Sequence, residues 1–122
     1  MLVSTIDHAR PLVVTDEQSG ETTVVRCIGE IDIATVPYLR DHLQRVQIDG
    51  PADLVIDLDQ VTFIDSIGLG ALIGAHKRAR VLQGSLIIVC TSRPVLRVLS
   101  ATALDRVFRV VASFDEAVAS QS

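Results

Sequence analysis

The sequence predicts an α/β fold: a single domain with a mixed β-sheet of about five strands, an opening hairpin and about four packed helices. Three observations lead there. Strand-like and helical segments alternate after the first hairpin, the pattern of a largely parallel sheet with crossover helices. The 122 residues match the usual size of one domain. Hydrophobic residues make up 48% and charged residues 21%, a balance that folds rather than stays disordered. With aromatics at 3% and no Trp, the core has to be built from Val, Leu, Ile and Ala.

The elements follow in order. Leu12 to Thr15 and Thr22 to Ile31 are rich in Val, Ile and Thr, and the polar stretch Asp16 to Glu21 between them reads as the hairpin turn. Helical spacing begins near Thr35, a good N-cap, with Pro37 in the first turn. Leu39, Leu43 and Val46 give its apolar stripe, and Gly50-Pro51 ends it. Leu54 to Leu58 is a short apolar run of the buried parallel type. A second helix is expected from about Ile67 to Gln83, with Gly84 at C′. Ser85 to Cys90 is the next strand, Pro94 to Ala101 a third helix after Ser92, and Val107 to Val111 a last strand. Ser113-Phe-Asp-Glu116 is a capping box that opens a final helix.

Charge and composition exclude several classes. Eleven Lys and Arg against fifteen Asp and Glu leave a formal charge of −4, which argues against general affinity for nucleic acid or anionic membrane. So few aromatics leave no platform for stacking bases. No apolar run approaches the roughly 18 residues of a membrane span, and the first residues lack the features of a secretory signal. A cytoplasmic location is expected. Cys27 and Cys90 lie in apolar strand-like runs, so two buried thiols are expected rather than a disulfide framework.

The most unusual stretch is Phe63-Ile-Asp-Ser-Ile-Gly-Leu-Gly-Ala-Leu-Ile-Gly74, where an apolar strand runs into Asp65-Ser66 and a helix starts at once. A phosphate on Ser66 would lie beside the partial positive charge of a helix N-terminus. Asp65 or Ser66 acting simply as N-cap explains the same residues. Behind them Ser66, Gly70 and Gly74 are spaced four apart, on one helical face. Each mid-helix Gly costs about 1 kcal/mol against Ala, so a side-chain-free ridge implies close approach by another surface, internal or external. His76-Lys77-Arg78-Ala79-Arg80 complements the helix C-terminus. Asp32, at the end of Gly29-Glu-Ile-Asp32, would share a sheet edge with Asp65 if the second and third strands are neighbours, or would cap locally.

Catalytic motifs are missing. Position 64 is Ile, so Ser66 lacks the first Gly of a nucleophile elbow. His8, His42 and His76 follow no metal-ligand or triad spacing. No phosphate-cradling Gly-x-x-x-x-Gly-Lys-Ser/Thr loop is present. Asp57 and Asp59 read as solvated carboxylates flanking a strand end. The expectation is no enzyme, no metal and no cofactor.

Gly29-Glu-Ile-Asp32 followed by Asp65-Ser-Ile-Gly-Leu-Gly70 resembles the STAS domain of bacterial anti-sigma factor antagonists. The resemblance continues through Ala71-Leu-Ile-Gly74, the Gly84-Ser-Leu strand entry, and Leu104 to Val118. It implies a STAS domain over residues 12–119, an N-terminal extension over 1–11 and a short tail over 120–122. It also implies a switch in stress-type transcription regulation. Ser66 would be the acceptor phosphorylated by a partner anti-sigma factor serine kinase, and a separate serine phosphatase would reset it. Asp32 and Asp65 match the acidic residues near the acceptor. Ile67, Gly68, Gly70 and Gly74 match the partner-binding surface. The unphosphorylated form would bind the anti-sigma factor and free the sigma factor, with no direct contact to nucleic acid or membrane.

Two positions depart from the family pattern. Ile67 stands where Ser or Thr is common, which removes a hydroxyl and bears on kinase recognition. Ala103 stands where Gly is usual, so a different local turn is expected. Two other readings remain: a STAS interaction module in another assembly without phospho-switching, and a small-ligand or nucleotide sensor using the Ser66 helix terminus.

Overall fold

β1 (Leu12–Ser19) and β2 (Thr22–Ile31) form the opening antiparallel hairpin, in a computed structural model that describes residues 12–121. The expected turn is shorter and the strand longer. Asp16 to Ser19 continue the ladder, and Gly20, at φ +63°, makes the reversal that a side chain would strain. These residues read as loop because β1 is an edge strand, and polar residues there cost little and discourage edge pairing.

Beyond the hairpin the sheet is parallel, in the order β1-β2-β3-β4-β5, with β3 (Asp53–Ile64), β4 (Leu86–Val89) and β5 (Arg109–Val111). The crossovers are α1 (Val36–Asp49), α2 (Ser66–Val81) and α3 (Arg93–Ala101); α4 (Phe114–Gln121) closes the domain. Strand alternation divides the core in two. Val25, Cys27, Leu54, Ile56, Leu58, Leu86 and Ile88 face α1, α2 and α3, where they meet Leu39, Leu43, Leu72, Val95 and Leu99. Val24, Val55, Ile87 and Val89 face the other way, against Phe114 and Ala117 of α4. Leu39 and Leu43 are fully buried, and each contributes about 1.5–3 kcal/mol relative to an exposed position. Both cysteines are buried and unpaired, as expected.

Several boundaries are corrected. β3 runs past Leu58 to Ile64, so Asp57 and Asp59 sit within the strand rather than flanking its end. They are also engaged: Asp57 Oδ2 lies 3.5 Å from Arg26 Nε, and Asp59 Oδ1 accepts from Thr91 N at 2.6 Å and Thr91 Oγ1 at 3.0 Å. α2 stops at Val81, and Gln83, not Gly84, takes the left-handed conformation at φ +61°. Gly84 serves another purpose: a Cβ there would stand 2.0 Å from Ala52 O. The last strand is shorter than expected because Leu104–Arg106 form a 3-10 turn. Ala103 enters that turn at φ +59°, a left-handed conformation that favours glycine. Ser113 Oγ accepts from Glu116 N at 3.2 Å, the expected cap of α4.

Candidate functional site

The C-terminal ends of β2 and β3 are neighbours, with Ile31 paired to Ile64 and Asp65 N donating to Ile31 O at 3.2 Å. Asp32 and Asp65, each the next residue, therefore leave the sheet side by side. The approach to Asp32 depends on Gly29, whose φ of +119° accompanies register shifts on both sides of it. At each shift β3 carries one residue more than β2, and the positive φ of Gly29 lets β2 stay paired with the bulged strand, which gives the glycine of the Gly29-Glu-Ile-Asp32 motif its reason.

Both carboxylates cap the segment that follows. Asp32 Oδ1 accepts from Ala34 N at 3.0 Å and Thr35 N at 3.1 Å. Thr35 occupies the N-cap position of α1 but does not cap with its side chain. Its buried hydroxyl instead donates to Glu30 O at 2.8 Å and accepts from Asp32 N at 2.9 Å, pinning the turn. At α2, Asp65 Oδ1 accepts from Ile67 N at 3.0 Å and Gly68 N at 2.9 Å. The cap is thus Asp65. Ser66 is the first helical residue, exposed, with no hydrogen bond on its hydroxyl among the described residues.

The glycines divide between inside and outside. Gly68 is buried: a Cβ there would lie 2.6 Å from Ile31 Cγ2 and 2.9 Å from Ile64 Cγ1. Only Gly lets α2 start this close to the strand ends, so this residue shapes the site from beneath. Gly70 meets nothing within 4 Å, and Gly74 meets only Arg78 Nη1, at 3.4 Å. The ridge of Ser66, Gly70 and Gly74 consequently faces outward, and α1 does not fill it. Ile33 (72% exposed), Phe63 (47%) and Ile67 (41%) are exposed apolar side chains in the segments that meet there. Ile33 and Phe63 escaped the sequence reading. Phe63 was legible only as a strand residue, since the extra residues that β3 carries against β2 break the alternation that would have marked it as outward.

Other candidates lead elsewhere. His42 Nε2 pairs with Asp16, and His76 packs edge-on against Phe108 with ring centroids 5.5 Å apart; His8 lies outside the described residues. Among the described residues no His, Cys, Asp or Glu cluster is arranged to hold a metal, and no helix is long and apolar enough to cross a membrane. Burial pushes the Cys27 thiol up to about 12.

Known proteins share this fold. The STAS domain family matches residues 13–117. The anti-sigma-B factor antagonist of Listeria monocytogenes is 34% identical over 82 residues, 67% of this chain and 72% of that protein. An anti-sigma factor antagonist from Mycobacterium paratuberculosis superposes with a TM-score of 0.84 at 30% identity, covering 90% of this chain and 93% of that one. The anti-sigma factor antagonist SpoIIAA in its phosphorylated form shares the fold, with a TM-score of 0.68 at 22% identity over 87% of this chain and 96% of that one. With the matched region spanning both Asp32 and Ser66, this chain belongs to the STAS domain family.

Proposed function

We propose that this protein is an anti-sigma factor antagonist: it docks on an anti-sigma factor serine kinase through the start of α2 and is released when Ser66 is phosphorylated. It acts by binding rather than by catalysis, in the cytoplasm, and a serine phosphatase returns it to the binding form. The observation that carries this reading is the division of labour between Asp65 and Ser66. Asp65 takes the capping duty, so the Ser66 hydroxyl stays exposed beside Ile67 and Gly70. The names of the curated relatives agree with it.

The same geometry supplies the switch. A phosphate adds about −1.5 to −2 charge. The Ile67 and Gly68 N–H groups that would cradle it are already occupied by Asp65. The new charge would stand beside the carboxylates of Asp32 and Asp65 and project toward the partner. It penalises docking while leaving the interior untouched. This occupancy also disfavours a small-anion sensor at the helix terminus.

The test combines the purified chain with its cognate anti-sigma kinase and ATP. Mass spectrometry should place one phosphate on Ser66, and Ser66→Ala should abolish it. Wild type and Ser66→Ala should retain the unphosphorylated complex, whereas Ser66→Asp should lose it with an unchanged melting temperature. Equal binding by all three would overturn the switch, leaving a constitutive interaction module.

A further inference from the structure

The opposite end of α2 has a different surface. The last turns of α1 and α2 leave a cleft of about 430 Å3, lined by Gln47, Ile48, Lys77, Arg78, Val81 and Leu82. Ile48 and Val81 are 78% and 82% exposed, large aliphatic side chains standing together in water. Beside them Arg78 is held in place: its Nε donates to Gln47 Oε1 at 2.9 Å, and buried Gln47 donates to Ala75 O at 2.8 Å. That bond uses one edge of the guanidinium and leaves the terminal nitrogens available for a planar, two-pronged acceptor. Burial, and then the charge of Arg40, hold Arg78 below its ordinary value. Among the described residues no carboxylate pairs with Arg40, Lys77 or Arg78, in a chain whose net charge is −4.

We propose that this cleft is a second docking surface, which takes an acidic amphipathic helix of a partner protein. A bulky apolar side chain of that helix fills the space between Ile48, Val81 and Leu82, and a neighbouring carboxylate meets Arg78 and Lys77. Charge complementarity selects this occupant. A second copy meeting here about a twofold axis would set cations against cations. Arg78 lies twelve residues from Ser66, about 18 Å along the helix, beyond two Debye lengths of roughly 8 Å. Docking at this cleft is therefore independent of phosphorylation at Ser66 and can keep a partner attached while the other end is released. The surface stands on its own observations and does not depend on the switch proposed above.

Full-length isotope-labelled protein titrated with a synthetic helical peptide provides the test. The peptide carries Leu along one face and Glu along its flanks; a matched peptide has Lys in place of Glu. Amide signals of Gln47, Ile48, Lys77, Arg78, Val81 and Leu82 should move with the Glu peptide and not with the Lys peptide. Lys77→Glu and Val81→Glu, both at exposed positions, should each weaken binding by about fivefold or more with an unchanged melting temperature. Ser66→Asp should bind the Glu peptide as well as wild type does. Equal binding of both peptides, or signals moving elsewhere, would overturn the proposal. So would a homodimer in sedimentation that Val81→Glu dissociates, since the occupant would then be a second copy.

Discussion

Asp65 and Ser66 are consecutive residues with opposite assignments: the carboxylate of Asp65 turns inward to bond Ile67 N and Gly68 N, and the Ser66 hydroxyl is left to solvent. Removing the carboxylate should therefore unsettle the helix start. Asp65→Ala is expected to cost about 1 kcal/mol, read as a fall of a few degrees in melting temperature. Asp65→Asn keeps an acceptor oxygen in the same place and should lose much less. Equal losses for the two variants would mean that the charge, and not the cap, stabilises the site.

Gly68 and Gly70 should respond in opposite directions to the same substitution. A Cβ at Gly68 runs into Ile31 Cγ2 at 2.6 Å and Ile64 Cγ1 at 2.9 Å, both on packed β-branched side chains, so Gly68→Ala should destabilise by about 1–3 kcal/mol. Gly70 has open space, so Gly70→Ala should gain about 1 kcal/mol of helix propensity while adding a methyl to the docking ridge. Urea unfolding reads the first effect and partner affinity the second. A Gly70→Ala variant that is more stable and binds unchanged would remove Gly70 from the interface.

The sequence carried the neighbourhood of the site better than its details. The sequence offered Asp32 beside Asp65 on the condition that β2 and β3 pair, and the four-residue spacing of Ser66, Gly70 and Gly74 marked a ridge without deciding whether it faced inward or outward. What stayed hidden depends on tertiary contact. Gly68 looks like Gly70 in sequence, yet it is buried because Ile31 arrives from another strand. Gly84 looks like a helix cap, yet it answers to Ala52. Asp16 to Ser19 look like a turn because an edge strand tolerates polar residues that a central strand would not. The cleft by Ile48 and Val81 was invisible because its two walls lie on different helices.

Ala103 is held at φ +59°, where a Cβ crowds the following carbonyl. Ala103→Gly should relieve this and raise stability by about 0.5–1 kcal/mol, after allowing for the greater freedom of Gly in the unfolded chain. The gain should appear as a higher midpoint in urea with an unchanged slope. A loss instead would show that the turn tolerates the Ala side chain better than the unfolded chain tolerates the Gly.

Cys27 links burial to alkaline stability. Its thiol is pushed from an ordinary 9.0 to about 12, first by burial and then by the charge of Asp57. Below about pH 9 the thiol is protonated in both states and contributes no pH dependence. Above it the unfolded chain releases this proton and the folded chain retains it, so stability falls as pH rises from about 9 toward 12. Cys27→Ala removes this source while leaving Cys90, also raised by burial, in both proteins. Unfolding free energies at a series of pH values should show the wild type declining more steeply than the variant. Parallel curves would mean that the Cys27 thiolate is accommodated in the folded core.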